Sequence, residues 1–413
     1  MLISALIATF LAAPVPETPG TNHPAIVVTA ERIRDQKATL AACISRKCPA
    51  DEDIDATLAL AESQLINGKY HDARTTLLAS LGRNKYEARR YPIPVSDLYR
   101  ANARVAADLG IDDDYYRSTW GIYRTLKYGL PSDEVRQFSA LMEVAEMNYR
   151  TRGHERARLY YEMIAKEARR VGRPDIAAIA ELRSAIRHLP PGSGWQLDEI
   201  NKVAGLQGSD MRGAVLEAKL ALARMAYAKG DDTKAEAIQK DLAALDIKRP
   251  ILIYSPPYQM LMSDTPRGNE VESQISRNVV NNPRGIDLSP TRDSVRFNGH
   301  GPAVFGTQRV TPVVEDMWLD VAFRVTPDGR VADLEVARSH GDTYWAKPLL
   351  GSIQGRRYTF ADPNSPTSRR LERYTYTSGL EKKSVTRSRG HAPNTRVEYM
   401  DLSNDSGGLS DLE

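Results

Sequence analysis

The chain contains 413 residues, of which 41% are hydrophobic, and its 56 Lys and Arg nearly balance its 53 Asp and Glu, giving a formal net charge of +3. This length suits two or three domains. Because there is no strong overall positive field, the composition argues against a nucleic-acid partner.

The N-terminus carries an apolar run from Leu2 to Ala13 that ends in Leu-Ala-Ala. This run has the length of a signal-peptide hydrophobic region and is too short to cross a bilayer, which takes about 20 helical residues. We therefore predict that residues 1–13 are a secretory signal and that the protein is periplasmic. No other segment is long and apolar enough for a membrane helix, so we expect no integral membrane span.

The two cysteines, Cys43 and Cys48, form a C-x4-C motif followed by Pro49. In an oxidising compartment this spacing favours a small disulfide loop, and the alternative is a pair of reduced, partly buried thiols. We expect no metal site here, because a structural zinc needs four ligands and no pair of histidines lies nearby.

Residues 26–248 have a helical pattern rich in Ala, Leu, Glu, Lys and Arg, and they contain an internal repeat. One spacing occurs twice, as Leu60-Ala61, Gly68 and Ala73 and as Leu222-Ala223, Gly230 and Ala235. Gly suits the left-handed end of one helix, and the small Ala allows the next helix to pack closely. The pattern resembles degenerate tetratricopeptide (TPR) repeats, which implies a solenoid of stacked helix pairs with a concave surface. The pattern favours packing between helices, with the hydroxyl at the edge, for each of the six tyrosines that are candidates for lining that surface: Tyr70, Tyr115, Tyr116, Tyr149, Tyr160 and Tyr161.

Residues 249–312 are rich in Pro, Asn and Ser and are predicted to be an extended segment or linker. Ile251 to Tyr254 could form a short strand or pack as an extended segment on the helices. Residues 263–308 are predicted to be a mobile linker that would let a C-terminal domain search for a partner.

The segment from Leu319 to Ser339 predicts two alternating strands joined by a tight turn at Asp328-Gly329. The first strand places apolar residues on one face, and the second is predicted to turn Leu334 and Val336 inward. A helix carrying Trp345, Leu349 and Ile353 on one face is expected to follow, and then a strand from Leu371 to Ser378. The fold class is therefore α+β and multidomain, with an N-terminal helical repeat and a small C-terminal α+β domain.

This C-terminal domain, at residues 313–381, resembles the C-terminal domain of the TonB family of energy transducers over about residues 315–380. The matching residues are Phe323, Val325, Asp328, Gly329, Arg330 and Val331, then Val336, Ser339, Gly341 and Asp342, then Arg357-Tyr358 after the helix. The resemblance implies a domain that captures the extended "TonB box" peptide of an outer-membrane transporter as an added strand.

By position, the strand after the helix corresponds to the family's third strand, so we predict a peptide-binding edge at Arg373, Tyr374, Thr375 and Tyr376. Its unpaired backbone groups would bind the peptide by β-augmentation. Residues 382–413 form a basic and then acidic tail with one possible strand, Thr395 to Leu402. If that strand pairs with Leu371 to Ser378, peptide capture at this edge is blocked.

No H-E-x-x-H, G-x-S-x-G, phosphate-loop or zinc pattern occurs in the sequence. We therefore expect a non-enzymatic protein without a cofactor. The first hypothesis is a periplasmic protein that binds a TonB-box peptide in outer-membrane transport. The alternative is an envelope scaffold or adaptor that acts through its helical repeats without coupling to transport.

Overall fold

The computed structural model describes residues 30–187, 194–243, 245, 247, 249–258, 317–360, 368–382 and 389–403. The predicted signal at residues 1–13 and the predicted linker at 263–308 lie outside these residues. In the helical part, the described residues form α1 Ala30–Ser45, α2 Ala50–Ile66, α3 Tyr70–Asn84, α4 Pro92–Asp108, α5 Asp112–Gly129, α6 Val135–Arg152, α7 His154–Arg170, α8 Pro174–Ile186, α9 Gly194–Ala204, α10 Arg212–Ala228 and α11 Asp232–Ala243.

These helices form an array of hairpins in which each helix packs against its neighbours in sequence. Buried Ala and Leu residues fill successive clusters along the array, so its stability comes from neighbour-to-neighbour contacts. The predicted array of helical hairpins is confirmed.

The two copies of the sequence repeat have the same local structure. Gly68 and Gly230 end α2 and α10 with φ angles of 73° and 74°. In both joints the glycine N–H donates to the carbonyl three residues earlier, Leu65 O at 2.9 Å and Tyr227 O at 3.0 Å. Ala73 and Ala235 have no exposed surface, which explains why the following helices need a small residue there.

The C-terminal part is an antiparallel sheet with one helix. Its elements are β1 Leu252–Tyr254, β2 Met317–Val325, β3 Val331–His340, a 3₁₀ turn Tyr344–Ala346, α12 Lys347–Gln354, β4 Arg357–Tyr358, β5 Ser368–Lys382 and β6 Arg389–Asp401. The main sheet has the order β3-β2-β5-β6, and β1 pairs with β4. Residues 252–254 are therefore a strand, and the main sheet continues past residue 381 into the segment predicted as a tail.

Asp328 and Gly329 lie in the turn between β2 and β3, as the sequence predicts. Gly329 has a φ of 73°, and its N–H donates to Thr326 O at 2.8 Å. A Cβ at Gly329 would stand 2.2 Å from the carbonyl oxygen of Tyr358, so only glycine fits this position.

The inward position predicted for Val336 is wrong, because this side chain is 45% exposed. The pairing of β3 with β2 shifts between Asp320 and Val321 and again between Ala322 and Arg324. Each β-bulge breaks the strict alternation of faces, and Asp333 takes a positive φ of 52° at one of them. Because of the bulges, the side chains of β3 do not keep the alternation between the two faces that the sequence predicts.

The sheet is buried on both faces. On one face, Val321 and Phe323 of β2 pack against Trp345, Leu349 and Ile353, as the sequence predicts. On the other face, Trp318, Met400 and Leu402 join the apolar cluster of the first helices of the array. The molecule therefore has three layers, with α12, the sheet and the helical array in that order.

Candidate functional site

The strand predicted to bind a peptide is in the interior of the sheet. Arg373 of β5 pairs with Asp320 of β2 on one side and with Met400 of β6 on the other. The relative exposures of Arg373, Tyr374, Thr375 and Tyr376 are 0%, 1%, 5% and 4%. The prediction of an open edge here is wrong, because β6 occupies the place that the incoming peptide would take.

Arg373 instead connects the sheet to the helical array. Its guanidinium contacts the Asp320 carboxylate at 2.6 and 2.9 Å, and it donates to the carbonyls of Leu65 at 2.6 Å and Ile66 at 2.8 Å. These carbonyls belong to the last two residues of α2, where the helix dipole is negative, and Leu65 O also accepts the Gly68 N–H. The guanidinium also lies 3.9 Å from the centre of the Trp318 ring. Arg373 thus donates hydrogen bonds to the end of a helix, pairs with a buried carboxylate and lies over an aromatic ring.

The other three predicted residues have separate structural contacts. Thr375 hydrogen-bonds the Tyr70 hydroxyl of α3 at 2.8 Å. Tyr374 donates to the Glu372 carboxylate, and burial raises its pKa well above the ordinary range of tyrosine. The ring of Tyr376 packs 5.3 Å from that of Trp345 on the α12 face. These residues therefore do not form a common ligand site.

A second buried ion pair joins the sheet to the middle of the array. Arg150 at the end of α6 donates to both carboxylate oxygens of Glu398 in β6, at 2.6 and 2.9 Å. The side chains of this pair are 9% and 5% exposed. The Arg150 guanidinium also lies 5.3 Å from the centre of the Tyr115 ring. Both charged groups are therefore largely buried from solvent, and they pair with each other.

The last helices of the array contact the same C-terminal unit. Arg224 of α10 donates to Leu252 O at 2.9 Å, and Gln239 of α11 accepts the Phe360 N–H at 3.0 Å. Helices near the start, the middle and the end of the array thus contact one small unit, so the array curves round it. Of the six candidate tyrosines of the array, Tyr70 reaches the sheet, and Tyr115 and Tyr161 are likewise buried.

The outer edge of β3 has no paired strand among the described residues. Val336 is exposed there, next to the charged side chains of Asp333 and Glu335. The two bulges interrupt the regular row of backbone groups along this strand. This edge and β6 delimit the described sheet.

A cleft of about 670 Å³ lies between α7, α8 and α9. Its rim carries Glu162, Arg169 and Glu181 beside Trp195, whose side chain is 52% exposed. At its base the Tyr161 hydroxyl donates to Glu146. Burial acts to raise the pKa of Glu146, but the charge of Arg187 and these hydrogen bonds outweigh burial and lower it. The lining residues offer charges and an indole surface, without a nucleophile and base in contact.

Cys43 and Cys48 are joined in a disulfide between α1 and α2, with their Cα atoms 5.2 Å apart. With Glu52 they are the one group in the described residues that has the proximity of a metal site. Because both sulfurs are in the disulfide, one carboxylate is left, which is too few ligands for zinc. Among the described helices, none is both long and apolar enough to cross a membrane.

Comparisons with known proteins give no family assignment. No protein-family model matches the chain, and no curated protein matches it. A crystal structure of BtubC (BKLC) from P. vanneervenii matches 57% of this chain and 99% of its own at 16% identity and a TM-score of 0.40. A putative kinesin light chain with nearly identical TPR-like repeats from Podosopora anserina matches 53% of this chain and 87% of its own, at 13% identity and a TM-score of 0.32. At these TM-scores the likeness carries no argument about this protein.

Proposed function

We propose that this protein is a non-enzymatic scaffold that binds other proteins through the surface of its helical array turned away from the sheet. The observation that carries the proposal is the distribution of exposed aromatic residues in the array. Tyr86 is 81% exposed, Tyr128 74% and Trp195 52%, whereas the surface toward the sheet is covered by the protein's own chain. Exposed aromatic side chains of this size are typical of protein-binding surfaces.

The proposal is tested by placing the photo-crosslinker p-benzoylphenylalanine at single positions in the full chain in living cells. Tyr86, Tyr128, Leu159 and Trp195 sample the outer surface of the array, and exposed Glu236 of α11 serves as the control position. A scaffold gives a discrete protein adduct at one or more of the four positions and none at Glu236. Adducts absent from all four positions would overturn the proposal.

A second candidate is the peptide capture that the TonB resemblance implies, now at the outer edge of β3. It is supported by the element order β2, β3, α12, β5 and by the unpaired outer edge of β3 in the described sheet. A TonB-box peptide would add there by β-augmentation and connect the protein to outer-membrane transport. Titrating the full chain with such a peptide and following amide NMR shifts tests it. Shifts confined to residues 331–340 support it, and unchanged spectra at millimolar peptide exclude it.

We further propose that the protein acts in the periplasm. The disulfide between Cys43 and Cys48 supports an oxidising compartment, because cytosolic thiols are kept reduced. Cells are quenched with acid, the protein is denatured, and its thiols are alkylated with a maleimide of high mass with and without prior reduction. In an oxidising compartment both cysteines react only after reduction, and labelling of both without reduction would contradict the proposal.

A further inference from the structure

One side of the array near α3 and α5 carries a cluster of cations, which we call the basic face. It consists of Lys85, Arg89 and Arg90 in and after the 3₁₀ turn Lys85–Arg89, and of Arg124 and Lys127 in α5. All five side chains belong to exposed residues. The 3₁₀ turn contributes one carboxylate, Glu87. The basic face therefore has a strong local positive charge in a chain whose formal net charge is only +3.

The 3₁₀ turn and α5 are brought together by Tyr99 of α4. Burial raises the pKa of Tyr99, and the neighbouring charges of Lys85 and Arg124 oppose this rise. Lys85 and Arg124 thus act on the same hydroxyl from two separate elements. Gly121 of α5 lies so close to the Tyr99 ring that a Cβ there would be 2.5 Å from it. Lys85 and Arg124 consequently lie on one side of the array although they are far apart in sequence, and the other three cations belong to the same two elements or follow them directly.

Aromatic rings hold four of these cations in place. Lys85 lies 4.9 Å from the centre of the Tyr86 ring and Arg90 lies 5.2 Å from that of Tyr91. Arg124 lies 5.7 Å from the Trp120 ring and Lys127 lies 5.5 Å from the Tyr123 ring. A cation over a ring face is oriented and partly desolvated while its N–H groups remain able to bind an anion.

The five cations of the basic face make no ion pair with a carboxylate among the described residues. Other arginines of the array are paired, such as Arg74 with Asp114, Arg83 with Asp53 and Arg100 with Glu143. A further acid, Glu167, is influenced by the charge of Lys127 but pairs with Arg170. Within the described structure, therefore, no ion pair neutralises the cations of the basic face, and Glu87 is the one carboxylate that the 3₁₀ turn sets among them.

We propose that the basic face docks an acidic protein segment, a run of Asp and Glu residues in a partner, and this inference rests on the proposed scaffold function. Carboxylates match oriented guanidinium and ammonium groups in both charge and hydrogen bonding. Single-stranded nucleic acid would need free ring faces for its bases to stack on. Tyr91, Trp120 and Tyr123 are partly buried and each has a cation over its ring, which leaves little ring surface for a base and favours carboxylates.

The test uses the full chain and a fluorescein-labelled synthetic peptide of alternating Asp, Glu and Ser, with fluorescence anisotropy as the readout. The double variant Lys85→Glu/Arg124→Glu is expected to lower the affinity about tenfold or more, since each attraction becomes a repulsion. The matched control is Lys234→Glu/Lys240→Glu, which makes the same charge change on exposed residues of α11 and leaves the affinity within about twofold. Circular dichroism of both variants verifies that the array is folded.

Equal losses in the two double variants, or no binding of the peptide to the unaltered protein, would overturn the inference. Tighter binding of an oligothymidine or of phosphatidylglycerol vesicles than of the acidic peptide would overturn it as well. The scaffold proposal has a separate readout. Protein adducts at Leu159 or Trp195 without acidic-peptide binding would leave the scaffold standing and remove the basic face as its docking site.

Discussion

At the scale of single residues, the role of Arg373 in the structure differs most from the role that the sequence predicts. In sequence it lies in an alternating strand and suggests a contact for a ligand; in the structure it is fully buried against Asp320 and the end of α2. We predict that Arg373→Met lowers the free energy of unfolding by about 3 kcal/mol or more, because it takes one donor from each of two buried carbonyls and one partner from the buried Asp320. Urea unfolding followed by circular dichroism measures this.

The control for this prediction is Arg369→Met, the same change on the same strand at an exposed residue. We expect it to alter the free energy of unfolding by less than about 0.5 kcal/mol. If both variants lower the free energy of unfolding by the same amount, Arg373 does not connect the sheet to the helical array in the way described above.

A second residue-scale prediction concerns acid stability. Burial acts to raise the pKa of Asp53, but hydrogen bonds from Arg83, Asn84 and Thr57 and the charge of Arg83 lower it below its ordinary value of 3.8. A lowered folded-state pKa stabilises the protein above pH 3.8, and this stabilisation is lost as the pH falls through the folded-state pKa. Arg83→Met should therefore move the acid-unfolding midpoint upward by roughly 0.5 pH unit.

This shift is measured by circular dichroism across a pH series. Arg89→Met removes the same charge from an exposed position in the 3₁₀ turn, where no carboxylate pairs with the guanidinium in the described structure, and should leave the midpoint in place. A midpoint that moves equally in both variants would show that net charge, and not the Asp53 pair, sets the acid stability.

At the scale of elements, the two repeat copies differ in what lies beside their glycines. Gly68 and Gly230 share a positive φ, but a Cβ at Gly68 would be 2.4 Å from the Trp318 indole, whereas a Cβ at Gly230 meets nothing within 4 Å. We predict that Gly230→Ala costs about 1 kcal/mol for the strained backbone alone. Gly68→Ala should cost about 3 kcal/mol, since Trp318 must also move.

Backbone strain contributes equally to both glycine variants. The additional loss of stability in Gly68→Ala therefore reports the contact between the sheet and the array. It is measured as the difference between their free energies of unfolding in urea. Equal losses would mean that Trp318 is not packed against this helix joint in solution.

At the scale of the whole molecule, the Arg150–Glu398 pair tests whether the array and the sheet are one cooperative unit. Removing one buried charge leaves the other unpaired, so Arg150→Met alone should cost about 3 kcal/mol. The double variant Arg150→Met/Glu398→Met should recover about 2 kcal/mol of that loss, because apolar groups can replace a buried ion pair. Thermal and urea unfolding of the four proteins gives the coupling energy.

The exposed Arg158–Glu162 pair within α7 provides the matched cycle, and its coupling energy should be much smaller because solvent screens both charges. Additive losses at Arg150 and Glu398 would indicate that the sheet is not docked on α6. The coupling energy thus measures the tertiary contact directly.

The sequence by itself determined the local elements. Glycine at Gly68 and Gly230 with a small Ala after each predicts helical hairpins, and Asp328-Gly329 between alternating strands predicts a hairpin, because these signals depend on neighbouring backbone angles. The tertiary structure alone decided which strand lies at an edge, since the sequence left open whether the last strand pairs with β5. It also decided that Arg373 joins the sheet to α2, a contact between residues more than 300 positions apart. Alternation along a strand shows which side chains share a face, but not whether a face or an edge meets solvent, a helix or another strand.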